Sequence, residues 1–132
     1  MKDGRLSIFY HLSSIIYSGG KQVSESILQE KSYEFALRIV KLSQYLNNEK
    51  REFVLSRKVL DSGTSMGVLI EEARQRENRS DFIQRLSVAN KEAFKTNYWL
   101  RLLRDGEQIS EKQAGFFTRR LRRAAENADL FA

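Results

Sequence analysis

The stretch SGTSMGVLIEEARQRENRSDF, residues 62–82, decides how the rest of the chain folds. Gly63 and Gly67 stand four residues apart inside an apolar-periodic segment, which places both on one face of a helix. A glycine in a helix interior costs roughly 1 kcal/mol relative to alanine, so the face they share is expected to receive another backbone at close range. A phosphate-cradling loop is the competing reading. It fails on chemistry, because such a loop ends in Gly-Lys-Ser/Thr after a strand, whereas this run continues Gly67, Val68, Leu69 within helical periodicity. From Arg74 to Asp81 the stretch turns polar, which predicts a helix end, a short turn and a new start capped by the Ser80 hydroxyl.

Working outward, the helix holding the two glycines is expected over 49–76, with Leu55, Val59, Ser62, Met66, Leu69 and Ala73 as its seam. Its central layer of Ser62, Gly63, Ser65 and Gly67 is small and leaves room for a bulky side chain, with Trp99 or Phe94 the candidates. Before it, Phe35, Ile39, Leu42 and Leu46 mark a helix over 26–46, widened by Tyr33, Ala36, Val40 and Tyr45. Asn47 and Asn48 supply the turn. After it, Phe82, Leu86, Ala89, Ala93, Thr96, Leu100 and Leu103 mark a helix over 81–104, closed by a left-handed Gly106. A fourth helix opens on a capping box, Ser110 with Gln113, and carries the stripe Ala114, Phe117, Leu121, Ala124 and Ala128. Four amphipathic helices with short turns predict an all-α fold, an antiparallel up-down-up-down four-helix bundle over 24–132. Residues 1–23 form an amino-terminal extension, flexible or in contact with a neighbouring subunit, with Gly19 and Gly20 as a hinge.

The chain has 132 residues, the size of one ordinary domain, with no proline, no cysteine and one histidine. Lacking cysteine, it has no disulfide framework, thiolate nucleophile or Cys-type zinc site. His11 has no second histidine to complete a metal site, and Glu71, Glu72 and Glu92 lack the Glu-x-x-His partner of a bundle-core metal centre. No nucleophile, base and orienter can be assembled, so the expectation is a protein that is not an enzyme and uses no cofactor. The short apolar run from Leu6 to Tyr17 lacks a convincing cleavage site for a secretory signal, and no run reaches the length of a membrane span. A cytoplasmic location is the expectation. The net charge of +6 points to polyanionic partners.

Three blocks in order, EKSYEFALRIVKLSQYL at 30–46, SGTSMGVLIEEA at 62–73 and SDFIQRLSVANKEAFKTNYWLRLL at 80–103, resemble the bacterial four-helix-bundle family encoded in intervening sequences of 23S rRNA genes. Related to that family is the accessory variability determinant of diversity-generating retroelements, a basic homopentamer that binds a reverse transcriptase and nucleic acid. The resemblance implies the bundle, a homopentamer, an association with ribosomal RNA that puts RNA ahead of DNA, and no catalytic residues. The chain departs from the family pattern at Met66, Gly67 and Val68, and at Lys95, where an acidic residue is common. A polar or acidic contact at 68 or 95 is therefore not carried over.

Two arginine groups are the candidate nucleic-acid-binding residues. Arg119, Arg120, Arg122 and Arg123 crowd one turn of the fourth helix, with Arg101 and Arg104 at the end of the third. Arg74, Arg76 and Arg79, with Arg85 nearby, form the second group. The guanidinium fork pairs with phosphate oxygens and releases condensed counterions. A solvated helix face is the plainer reading, with Glu126 and Asp129 as neutralising partners and Glu71–Arg74 and Glu72–Arg76 as ordinary helix pairs. No aromatic residue interleaves with either group, which points to backbone contact with little base readout; the Tyr98–Trp99 pair offers faces for stacking, but a pair at such a helical position more often packs the core or an interface. The expected function is thus a self-associating module that binds RNA or DNA through basic surfaces. The alternative is an adaptor docking a protein partner such as a reverse transcriptase.

Overall fold

The computed structural model describes the backbone of residues 22–130 and the side chains of residues 25–121. The expectations for 1–21, His11 and the glycine hinge among them, lie outside the described residues. Four helices follow: α1 (Gln22–Asn48), α2 (Val54–Arg74), α3 (Arg79–Asp105) and α4 (Glu111–Leu130). Each packs against its sequence neighbours, and α1 closes the ring against α4. With links this short, consecutive helices run antiparallel, giving the expected up-down-up-down bundle.

The apolar spacing explains the core. On α3 all seven stripe residues, from Phe82 to Leu103, are buried. Phe35, Ile39, Leu42 and Leu46 of α1 and Ala114, Phe117 and Leu121 of α4 are buried as well. On α2, Val59, Met66, Ile70 and Ala73 line the core, while Leu55 and Leu69 are only half-buried. Full burial of a large aliphatic or aromatic side chain contributes about 1.5–3 kcal/mol, so these stripes dominate the stability of the bundle.

The small layer on α2 is filled differently from expectation. A Cβ at Gly63 would stand 2.9 Å from Cγ1 and 3.0 Å from Cγ2 of Ile39, so α1 already occupies that space. Beside it, the Ser62 and Thr96 hydroxyls hydrogen-bond at 2.9 Å within the core. Trp99 therefore packs against the rim of the core, half-buried, and Phe94 is likewise half-buried. Gly67 is looser. Its Cβ would meet the Ser32 carbonyl oxygen at 3.5 Å, an ordinary contact. A second polar bridge, Ser43 to Ser56 at 2.8 Å, ties α1 to α2.

Several helix ends move for local reasons. α1 starts at Gln22, so residues 22 and 23 belong to its first turn. Residues 49–53 link α1 to α2 and do not open α2; the left-handed residue there is Arg51 (φ 53°). The Glu52 carboxylate instead accepts from the Leu55 and Ser56 amides at 3.1 and 2.7 Å, satisfying donors at the start of α2. Asn78, not Ser80, caps α3, its Oδ1 accepting from the Asp81 amide at 2.8 Å. Asparagine ranks with the best caps, and starting there also brings Asp81 into the first turn. Gly106 has φ −82°, and Glu107 (φ 62°) takes the left-handed place. The capping box is present: the Ser110 amide donates to Gln113 Oε1 at 2.8 Å and the Gln113 amide to Ser110 Oγ at 3.0 Å.

Candidate nucleic-acid interface

Lys31, Arg38 and Lys41 recur at i, i+7 and i+10, which puts them on one face of α1. With Arg120 of α4 they border a groove of about 460 Å³ that Phe35 and Leu37 also line. The two helices are held there by aromatic packing, Phe35 meeting Phe117 edge to face at 5.9 Å and Phe117 meeting Phe116 at 5.3 Å. The Arg120 guanidinium lies 3.3 Å and the Arg38 guanidinium 5.6 Å from the Phe116 ring centroid. Arg120 Nη1 also donates to the Phe116 carbonyl at 3.4 Å. Phe116 is therefore an aromatic at the centre of a basic group, contrary to the expectation that arginines and aromatics stand apart. Among the described residues the carboxylate lining the groove is Glu34, which pairs with Lys31 at 3.9 Å. Guanidinium groups laid against a ring lose little freedom on meeting an oxyanion, and they are weakly hydrated to begin with.

The remaining candidate arginines divide into exposed and engaged. Arg119 is exposed, with Nη1 lying 3.2 Å from where a Cβ on Gly115 would stand. The side chains of Arg122 and Arg123 lie outside the described residues. Arg104 pairs with its neighbour Asp105 at 2.8 Å. That hydrogen bond, more than the charges alone, holds the Asp105 carboxyl below the usual carboxylate range and raises the Arg104 guanidinium. Arg101 stacks on Tyr98.

In the second group Arg74 donates to Gln29 Oε1, and Arg76 pairs at 3.0 Å with Glu25, which is 3% exposed. Arg76 also lies over the Phe82 ring at 4.6 Å. These contacts replace the expected Glu71–Arg74 and Glu72–Arg76 pairs; Glu72 instead takes Arg85 at 2.8 Å. α1 packs alongside this end of α2, so partners across the helix boundary outcompete those along one helix. Arg79 is exposed near Glu77 in the same mixed-charge hollow of about 390 Å³. Two of the three arginines here thus clasp the amino-terminal part of α1.

Lys31, Arg38 and Lys41 are absent from the sequence-based candidates. Their signal was legible as a recurrence on one face of α1, but no cluster in the sequence draws attention to it. Among the described residues no group of three or more His, Asp or Glu is placed to hold a metal ion. No helix among them is long and apolar enough to cross a membrane.

The family model described as 23S rRNA-intervening sequence protein matches residues 24–127. The chain belongs to that family. A crystal structure of a protein with unknown function from the S23 ribosomal protein family of Bacteroides thetaiotaomicron VPI-5482 is 41% identical, with a TM-score of 0.77. The similarity covers 82% of this chain and 96% of that one. No curated protein matches the sequence. The 23S rRNA-intervening sequence match thus spans the helices that build the α1–α4 groove.

Proposed function

We propose that this member of the 23S rRNA-intervening sequence protein family is a non-enzymatic, self-associating bundle that binds RNA in preference to DNA through the α1–α4 groove. The observation that carries the reading is the convergence of Lys31, Arg38, Lys41 and Arg120 on one groove, where four cations meet one carboxylate, Glu34, among the described residues. Four cations from two helices can follow a phosphate backbone, and family membership favours ribosomal RNA in the cytoplasm as the polyanion. Arg119, with Arg122 and Arg123 further along α4, extends the contact. Arg101, Arg104 and Arg79 are secondary contributors, and Arg74 and Arg76 act first as structural clasps. For self-association, five copies is the number the family resemblance implies, and the exposed Tyr33 and Val40 on α1 offer apolar area for it.

The test is fluorescence anisotropy with structured ribosomal RNA across a range of salt. Replacing Arg38, Lys41 or Arg120 with glutamine should reduce the slope of log affinity against log salt by about 0.7–0.9 for each phosphate that is no longer neutralised. Unchanged affinity in the triple variant would overturn the groove. An adaptor function is the second reading, favoured by the α1–α2 groove of about 450 Å³ that Tyr33, Gly67 and Val68 line. It requires a protein partner that still co-purifies after nuclease treatment.

A further inference from the structure

The α2–α3 face carries an arrangement that the arginine groups do not account for. Tyr98 on α3 is 47% exposed, so the core does not explain its ring. It stands edge to face with the half-buried Trp99, centroids 5.2 Å apart. Each ring carries its own cation. Lys58 Nζ of α2 lies 5.3 Å from the Trp99 centroid, and the Arg101 guanidinium lies 5.4 Å from that of Tyr98. Arg101 Nε is buried and, among the described residues, has no hydrogen-bond partner. The nearby acids are Asp105, one turn beyond Arg101 on α3, which Arg104 pairs at 2.8 Å and whose carboxyl the Arg101 charge also helps to lower, and the exposed Asp61, one turn beyond Lys58 on α2; Glu92 is paired by Lys95 at 3.1 Å.

An exposed tyrosine beside a half-buried tryptophan, each flanked by a cation, suits a ligand that offers flat π faces and negative charge together. Unpaired nucleic acid does so; a duplex hides the faces of its bases within the stack. A second copy of this chain fits less well, because the self-association proposed above draws on exposed apolar residues of α1 and not on this face. We propose that Tyr98 and Trp99, with Lys58 and Arg101, form a stacking site for an unpaired base of single-stranded RNA, the two cations meeting its phosphates. This rests on the RNA-binding reading and adds a substrate class to it: unpaired stretches, read through their ring faces with little base identity. The site lies on α2 and α3, apart from the α1–α4 groove, so one RNA with both duplex and loop can engage both.

Trp99 is the single tryptophan of the chain, so its emission reports on this site, while the anisotropy of a labelled RNA reports binding anywhere. Single-stranded oligoadenylate should quench Trp99 saturably, and a blunt RNA duplex of equal length should not. Tyr98→Leu keeps an apolar side chain at an exposed position and removes the π face; it should weaken oligoadenylate binding by roughly 5- to 150-fold, the range for one stacked base, and leave duplex binding unchanged. Tyr98→Phe should bind as the parent does. Oligoadenylate binding by anisotropy with no change in Trp99 emission, or full affinity in Tyr98→Leu, overturns the stacking site and leaves the groove reading standing. Absence of any RNA binding at low salt overturns both. A Tyr98→Leu protein with smaller oligomer mass and unaltered RNA affinity also overturns the site, by assigning this face to self-association.

Discussion

Alanine at Gly63 and alanine at Gly67 should change stability in opposite directions, although the two glycines share one face of α2. In a helix interior each replacement gains roughly 1 kcal/mol of backbone propensity. At Gly63 the new Cβ would lie 2.9 and 3.0 Å from two carbons of Ile39, well inside the roughly 3.5–4.0 Å of a comfortable carbon contact. Ile39 is fully buried, and a β-branched side chain in a helix has one strongly preferred rotamer, so it has nowhere to turn. Overpacking of this kind costs about 1–3 kcal/mol, which leaves Gly63→Ala destabilised by about 1 kcal/mol net. At Gly67 the nearest atom would be the Ser32 carbonyl oxygen at 3.5 Å, so the propensity gain survives and Gly67→Ala should be stabilised by about 0.5–1 kcal/mol. Urea unfolding followed by helical circular dichroism, at one fixed protein concentration, measures both. For a domain of this size the melting temperatures should move by about 3–5 °C, down for Gly63→Ala and up for Gly67→Ala. Equal stabilisation of the two variants would refute the close Ile39 packing on which the α1–α2 contact is argued.

Two further outcomes follow from polar contacts. Thr96→Val strands the buried Ser62 hydroxyl and should destabilise by about 1–3 kcal/mol, whereas Ser62→Ala combined with Thr96→Val should recover part of that stability in a double-mutant cycle. Ser110→Ala removes the acceptor for the Gln113 amide at the start of α4; chemical denaturation should show a loss of about 1 kcal/mol, and a neutral result would mean that water replaces the cap.

What could be read from the sequence was local. The α3 stripe was legible because burial along a helix follows residue spacing, and every residue of it is buried. The Ser110–Gln113 box was legible because both partners lie within one turn. The cap position was not legible: Ser80 was expected, but Asn78, two residues earlier, carries the oxygen that the Asp81 amide reaches. The candidate groove was only half legible: Arg120 stood out in its cluster, while Lys31, Arg38 and Lys41 are spread along α1 and become one surface only when α4 lies beside them.

By itself, then, the sequence determined the helical class, the helix faces that turn inward and the family, because periodicity and motif order are properties of the chain taken in order. The tertiary structure decided which side chains meet across helices: Ile39 over Gly63 where Trp99 or Phe94 was expected, Arg76 on Glu25 where a neighbour along the helix was expected, and Arg38 with Arg120 around Phe116. These depend on the axial register and rotation of one helix against another. Many sequence-compatible registers bury the same stripes, and only the packing of particular shapes and charges selects among them.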